Sequence, residues 1–344
     1  MTKQNLLGYT IEQCEELMVS LGEKPYRGRQ LFKWLYSTRQ YDFNLMSDIS
    51  KSVRSTLDEK YEFRVPKMVE SQKSSDGTEK FLFHMDDGNP VETVLIPDDN
   101  SDRKTVCISS QVGCALACKF CATGTMGLLK DLSVGEILGQ LIYLRENFGD
   151  NAFSNVVMMG MGEPLNNFKN VCNMVKIATA PTGMAFSGKK ITISTSGISP
   201  KIKKLADSGL KARLAVSLHA AVQEKREKIM PVAKTFKLDK LFEAIKYYTD
   251  KTGNKVTFEY IIFKDFNDSM DDVMALSRLI RGIPCKINLL AYNPVDGFDF
   301  ERPSDEKVDW FGRELYPRAP AVTVRKSRGR DIDAACGQLA AKQR

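Results

Sequence analysis

The sequence predicts an α/β protein: a parallel sheet curled into a full or partial barrel, preceded by a small N-terminal helical domain and a β-hairpin extension. Three observations carry this. From residue 104 onward extended runs alternate with helical ones, the pattern of repeated β–α units. The first 65 residues have helical periodicity instead. Between the two regions an Asp-Gly turn joins two β-prone runs. A length of 344 residues suits one such barrel with an appendage. With 42% hydrophobic and 27% charged residues the chain can bury a core and lies outside the composition of disordered proteins.

In chain order, residues 1–65 form the helical accessory domain, with Ile11, Leu17, Met18 and Leu21 on one helix face and Leu31, Trp34 and Leu35 on another. Its segment Tyr26 to Trp34 interleaves bases and aromatics, which suits either an RNA-facing surface or a solvated basic face over a packed tryptophan. Residues 66–102 are the extension and a linker. Glu79 to Met85 and Val91 to Ile96 are the hairpin strands around Asp86-Asp87-Gly88-Asn89-Pro90, and the polar stretch Pro97 to Asp102 reads as the linker. Residues 103–344 are the barrel domain. Its strands are expected near 104–109, 155–161, 189–195, 212–218, 255–262 and 286–291, and its helices near 134–148, 167–178, 238–250 and 269–281. Ser133 and Glu136 make a capping box that opens the first of those helices. Barrels of this kind do their chemistry at the C-terminal ends of the strands, so the residues just after each run are the candidates.

The net charge of +7 has the sign for a polyanionic partner. No apolar run approaches the roughly 20 residues of a bilayer span, and the N-terminus has no secretory pattern, so a cytoplasmic protein without a membrane partner is expected. In that setting the eight cysteines are thiols, metal ligands or catalytic groups rather than a disulfide scaffold. Cys14, Cys172 and Cys285 sit among apolar periodic residues and read as packing, and His84 as structural. With His219 the only other histidine, a multi-histidine metal site is excluded.

Directly after the first barrel strand stands Gly113-Cys114-Ala115-Leu116-Ala117-Cys118-Lys119-Phe120-Cys121, three thiols in one short loop. Structural zinc wants four closed ligands, and no second cysteine pair matches. A 4Fe-4S cluster normally takes four cysteines, so three leave one iron open for a substrate or cofactor. Cys107 could in principle be a fourth ligand, although on a strand the sheet sets its position. Taken singly, Glu92 reads as a paired or exposed carboxylate, and Cys107 and Cys336 as small buried hydrophobes.

The Cys-x₃-Cys-x₂-Cys loop with an aromatic before its third cysteine resembles the radical S-adenosylmethionine (SAM) superfamily. Ser109-Ser110-Gln111-Val112-Gly113-Cys114, Met159-Gly160-Met161-Gly162-Glu163-Pro164, Ser194-Thr195-Ser196-Gly197, Ser217-Leu218-His219 and Asp331 to Leu339 together resemble the RlmN/Cfr family of RNA methyltransferases. Gly162-Glu163-Pro164 and Pro284-Cys285-Lys286-Ile287-Asn288-Leu289 are similar to its RlmN branch, which methylates C2 of adenosines in 23S rRNA and tRNA. The resemblance covers nearly all of the chain beyond residue 90.

It implies a partial (β/α)6-type radical SAM barrel and two cofactors, a 4Fe-4S cluster on Cys114, Cys118 and Cys121 and SAM at Gly162, Glu163, Ser194, Ser217, Leu218, His219 and Asn293. It further implies that Cys336 carries a methyl group taken from one SAM and that radical chemistry with a second SAM joins this carbon to the adenine. Glu92 then accepts the C2 proton and Cys107 resolves the adduct through a transient disulfide with Cys336. The implied partners are 23S rRNA, tRNA and an electron donor such as flavodoxin or ferredoxin, and the implied state is a monomer. C2 of adenine has no lone pair with which to attack a methyl group, which is why a radical route is needed. The target adenine must also leave its stack. The run Arg325-Lys326-Ser327-Arg328-Gly329-Arg330 either brings phosphates toward Cys336 or is a solvated charge run. Two other functions fit much of this pattern: a Cfr-like enzyme methylating C8 and giving antibiotic resistance, and a non-catalytic RNA-binding protein with a structural or redox-sensing cluster.

Overall fold

Short extended runs assemble into one ten-stranded sheet, in a computed structural model that describes residues 3–99 and 101–341. Its strands are β1 (Lys67–Lys73), β2 (Glu79–His84), β3 (Pro90–Asp98), β4 (Ser101–Cys107), β5 (Asn155–Met158), β6 (Ile191–Thr195), β7 (Arg213–Ser217), β8 (Val256–Ile262), β9 (Cys285–Ala291) and β10 (Val322–Arg325). Their order in space is their order in the chain. From β4 to β10 every neighbouring pair is parallel, while β1 to β4 pair antiparallel. The parallel part is a curled, unclosed sheet. All seven residues of β8 are buried, as expected of a strand covered on both faces.

The six expected barrel strands are present, with bounds shifted by a few residues. The segment read as a linker is a correction: Pro97 and Asp98 finish β3 and Ser101 begins β4, with Asp98 paired to Ser101, so the polar residues are a tight turn and the extension is continuous with the barrel sheet. Asn100 lies outside the described residues. Strands β1 and β10 were not foreseen.

The helices are α1 (Ile11–Ser20), α2 (Tyr26–Lys33), α3 (Lys51–Lys60), α4 (Val134–Phe148), α5 (Phe168–Thr179), α6 (Ser199–Asp207), α7 (Gln223–Ile229), α8 (Leu238–Thr252), α9 (Met270–Leu279) and α10 (Asp305–Leu315). Helix α4 starts at the expected capping box: Ser133 Oγ accepts the Glu136 amide at 3.2 Å and Glu136 Oε2 accepts the Ser133 amide at 2.8 Å. The N-terminal helices join the barrel's own hydrophobic core through Cys14, Met18, Leu31 and Phe32. Leu7 and Pro66 press so closely on α4 that a Cβ at Gly135 or Gly139 would meet them at 2.3 and 2.1 Å. In α2 both arginines are tied down, Arg29 to Glu15 and Arg27 to Gln30 and the Asp48 carbonyl. Among the described residues no helix is long and apolar enough to cross a membrane.

Candidate active site

The polar residues after β4 lace the strand ends together. Ser109 Oγ donates to the Glu92 carbonyl at 2.6 Å and accepts the Met161 amide at 2.9 Å, joining β3 to the loop after β5. Gln111 Oε1 accepts the Glu163 amide at 2.7 Å, and buried Gln140 of α4 bonds both Thr93 and the Ser109 backbone. Gln111–Cys114 then forms a short antiparallel hairpin with Gly127–Asp131, and the three-cysteine loop is the excursion between its strands. Cys114 ends the first strand, Cys118 lies in a turn, and Cys121 caps a four-residue helix, Ala122–Thr125. Gly113 makes this possible: its φ is 73°, and a Cβ there would sit 1.9 Å from the Gly127 carbonyl oxygen.

Cys114, Cys118 and Cys121 line a cavity of about 770 Å³ at the C-terminal ends of the parallel strands. The same cavity is lined by Cys107, Cys336, Gly162, Glu163, Ser194, Ser217 and His219. The expected site residues therefore converge, with three departures. Leu218 is fully buried and meets the site only through its backbone, which donates to the Glu259 carbonyl at 3.0 Å. The Asn293 amide donates to the Cys336 carbonyl at 3.2 Å. Glu92 lines a neighbouring pocket of about 350 Å³.

The loop bearing Cys336 separates the two pockets and is moored on both sides. On one side Asp76, in the β1–β2 turn, accepts the Gly329 amide at 2.8 Å, and Asp331 accepts from Ser74 Oγ at 2.6 Å. On the other side the cysteine-loop helix holds it: the Ala122 amide donates to the Gly337 carbonyl at 2.7 Å, and Thr123 Oγ to the Leu339 carbonyl at 2.6 Å. Arg325, Lys326 and Arg328 of the basic run line the large cavity, and Arg328 is also engaged with Asp99 and the Asp76 carbonyl.

Burial pushes the Cys107 thiol up to about 12, against the Met159 amide and the charge of Arg325. Cys336 is open to the cavity, yet enough protein surrounds its sulfur to push it up to about 12 as well, with Cys107 adding to the effect and Arg325 opposing it. Burial raises Cys114 to about 11 and Cys118 and Cys121 in the same direction. Glu163 is raised by burial, while both of its oxygens are used: Oε1 accepts the Leu165 amide at 3.0 Å, and Oε2 the Ser196 amide and hydroxyl at 2.8 Å. His219 is lowered to about 3 by burial and by Arg226; its Nδ1 accepts the Ile261 amide at 3.1 Å, so the neutral ring presents Nε2–H.

Several residues of this site escaped sequence reasoning. Arg226 of α7 is fully buried, with Nη2 donating to the Ser196 carbonyl at 2.6 Å, Nε to the Leu218 carbonyl at 3.1 Å, and Nη1 unpartnered. Glu259 of β8 lines the cavity with Oε1 on Asn288 at 2.8 Å. Lys80 of β2 stands 3.0 Å from Glu92.

The donor set at the cysteine loop is three sulfurs with no carboxylate or imidazole to spare. Among the described residues no three His, Cys, Asp or Glu side chains close on a single ion. A four-iron cluster takes each thiolate on a different iron, so thiols spread along one cavity wall fit it, and soft sulfur donors suit iron–sulfur chemistry.

An unclosed parallel barrel with such a loop at its strand ends defines a radical SAM enzyme. Residues 108–277 match the radical SAM superfamily, and residues 4–63 match the ribosomal RNA large subunit methyltransferase N-terminal domain. A probable dual-specificity RNA methyltransferase RlmN of Christiangramia forsetii is 44% identical over 99% of this chain and 97% of that one. The dual-specificity RNA methyltransferase RlmN of Paramagnetospirillum magneticum is 43% identical over 98% of this chain and 76% of that protein. The crystal structure of a radical SAM methyltransferase from Sphaerobacter thermophilus superposes with a TM-score of 0.90, at 40% identity, over 98% of this chain and 100% of that one. The chain belongs to the RlmN family of radical SAM RNA methyltransferases, enzymes that use a 4Fe-4S cluster and SAM.

Proposed function

We propose that this enzyme methylates C2 of an adenosine in 23S rRNA and of an adenosine in tRNA, using a methyl group carried on Cys336. The observation that supports this best is the convergence of Cys107 and Cys336, distant in sequence, on the cavity lined by the three-cysteine loop. Cys114, Cys118 and Cys121 hold the cluster, and Gly162, Glu163, Ser194, Ser217, Leu218, His219 and Asn293 surround SAM. Once bound, the two cofactors supply one-electron chemistry able to remove hydrogen from an unactivated methyl group.

The residues of the chain do the rest. The Cys336 thiolate displaces the methyl group of SAM from its sulfonium. Both thiols are held in their neutral form by burial, so Arg325 serves as the cation that favours their thiolates. After the Cys336-bound carbon has joined C2, the adduct gives up one electron, for which the bound cluster would be the acceptor, and Glu92 accepts the C2 proton. The Cys107 thiolate attacks the Cys336 sulfur; the sulfur–carbon bond breaks, the carbon keeps the electron pair and is protonated to methyl, and the sulfurs are left as a disulfide that a two-electron reductant reopens. The reading includes a flavodoxin- or ferredoxin-like electron donor, a monomeric state and a cytoplasmic location.

The test is expression in a host lacking its own adenine-C2 methyltransferase, followed by mass spectrometry of digested rRNA and tRNA. 2-Methyladenosine in both pools is expected. 8-Methyladenosine in rRNA would move the assignment to Cfr-like chemistry. Neither product, from protein replete in iron, would sink the reading.

A further inference from the structure

Glu92 is 3% exposed and Lys80 8%, both in the heart of the sheet. In the β2–β3 register Lys80 faces Val94 and Leu82 faces Glu92, which puts Lys80 and Glu92 on one face as diagonal neighbours. The ammonium lies 3.0 Å from Glu92 Oε1 and 3.5 Å from the carbonyl of Asp333, in the moored loop ahead of Cys336. Glu92 Oε2 accepts the amides of Ala340 and Ala341 at 2.9 and 3.0 Å. The other titratable side chains lining this pocket are Asp333, from the same loop, and Asp296, from the loop after β9, so Lys80 is the one cation among the described lining residues. From the barrel side the Glu92 backbone is met by the Met161 sulfur against its amide and by Ser109 Oγ on its carbonyl.

A buried ion pair contributes little net stability, because desolvation offsets the attraction, and an apolar side chain of similar volume would fill position 80 at no greater cost. We propose that Lys80 is a positioning residue for proton transfer: it fixes the Glu92 carboxylate through Oε1 and ties it to the loop that carries Cys336. This rests on the reading that Glu92 takes the C2 proton. With Oε1 held by Lys80, the proton passes from C2 to Oε2 after the Ala340 and Ala341 amides yield that oxygen. Without the ammonium, Oε1 loses its fixed partner and the carboxylate loses its tie, through Lys80, to the Asp333 carbonyl.

The experiment compares Lys80→Met, Lys80→Arg and Glu92→Gln in the full chain with reconstituted cluster, SAM, reductant and rRNA from cells lacking adenine-C2 methylation. Peptide mass spectrometry reads methylation of Cys336, which also reports folding; a denaturing gel reads the nuclease-sensitive protein–RNA adduct and its decay. Lys80→Met should methylate Cys336 at the parental rate yet resolve the adduct roughly 100-fold more slowly, the usual scale of a lost general base. Lys80→Arg, which keeps a cation able to reach Oε1, should resemble the parent. If Glu92→Gln accumulates adduct while Lys80→Met resolves it at the parental rate, the inference falls and the role of Glu92 stands. If Glu92→Gln accumulates none, the role of Glu92 falls and this inference with it. A Lys80→Met defect unrelieved by arginine, or one that already blocks Cys336 methylation, would make Lys80 merely structural.

Discussion

The geometry of the cysteine loop depends on Gly113, and Gly113→Ala isolates that dependence. At φ 73° an alanine carries the left-handed penalty of about 1–2 kcal/mol. Its Cβ would also lie 1.9 Å from the Gly127 carbonyl oxygen, which must retreat by about 1.5 Å to reach ordinary contact. That oxygen belongs to the strand paired with Gly113 and Cys114, so the retreat breaks the end of the hairpin, two hydrogen bonds at roughly 1 kcal/mol each. The expected loss is roughly 3–4 kcal/mol, and Cys114 shifts with it. Gly127→Ala is the control: its φ is 67° but nothing lies within 4 Å of its Cβ, so it carries the conformational term alone. Urea unfolding of iron-free protein measures the stabilities, and iron and sulfide content after anaerobic reconstitution measures the site. Gly113→Ala should hold a minor fraction of the parental iron and Gly127→Ala nearly all of it. Equal stability losses in the two variants, or full iron in Gly113→Ala, would refute the argument.

Two further predictions concern the walls of the cavity. His219 titrates near 3 in the folded protein, so between that pH and the ordinary histidine value of about 6.5 the unfolded chain binds the extra proton, and stability falls as pH falls through the window. His219→Gln keeps an acceptor for the Ile261 amide, and iron-free protein carrying it should lose about 3 kcal/mol less than the parent between about pH 7 and pH 4 in urea unfolding; equal losses would contradict the buried neutral ring. Burial opposes the charge of Asp76, but hydrogen bonds from Gly329, Thr78 and Ser74 outweigh it and hold its carboxyl at about 2. Asp76→Ala removes one mooring of the Cys336 loop and should speed alkylation of Cys336 by iodoacetamide roughly tenfold, equivalent to about 1.4 kcal/mol; an unchanged rate would mean that the Asp331 bonds and the cysteine-loop side hold the loop without Asp76.

Local chemistry made much of this fold readable. Ser133 and Glu136 announced α4 because a capping box is written in four adjacent residues, and β8 stood out because Val256, Phe258, Tyr260, Ile261 and Ile262 make a β-prone run, as a strand buried on both faces requires. Strand β1 escaped because Lys67-Met68-Val69-Glu70-Ser71-Gln72-Lys73 is an edge strand with exposed and half-buried residues alternating, and β10 because three of its four residues are exposed. Helix α7, Gln-Glu-Lys-Arg-Glu-Lys-Ile, looks charged on all sides, and only burial singles out Arg226 and Ile229. The cysteine loop was legible from spacing, since its residues are near in sequence. Lys80 was not, although a signal existed: a lysine in the apolar run Phe81-Leu82-Phe83 whose hairpin register puts it diagonal to a glutamate. The separation of Glu92 from the cysteine cavity depends on where the Cys336 loop lies, which no local pattern encodes.

The sheet's order in space repeats its order in the chain, and this sets a sequence of assembly. During synthesis each strand leaving the ribosome finds its partner already made, so the sheet can grow from the N-terminal edge. The three-cysteine loop is complete after β4 and its hairpin, when most of the barrel has yet to emerge. The segment that covers it, Cys336 to Leu339, follows every strand of the sheet and fastens onto Ala122 and Thr123. Delivery of iron and sulfide thus has a natural window while the thiols are still uncovered, and the Cys336 segment closes it.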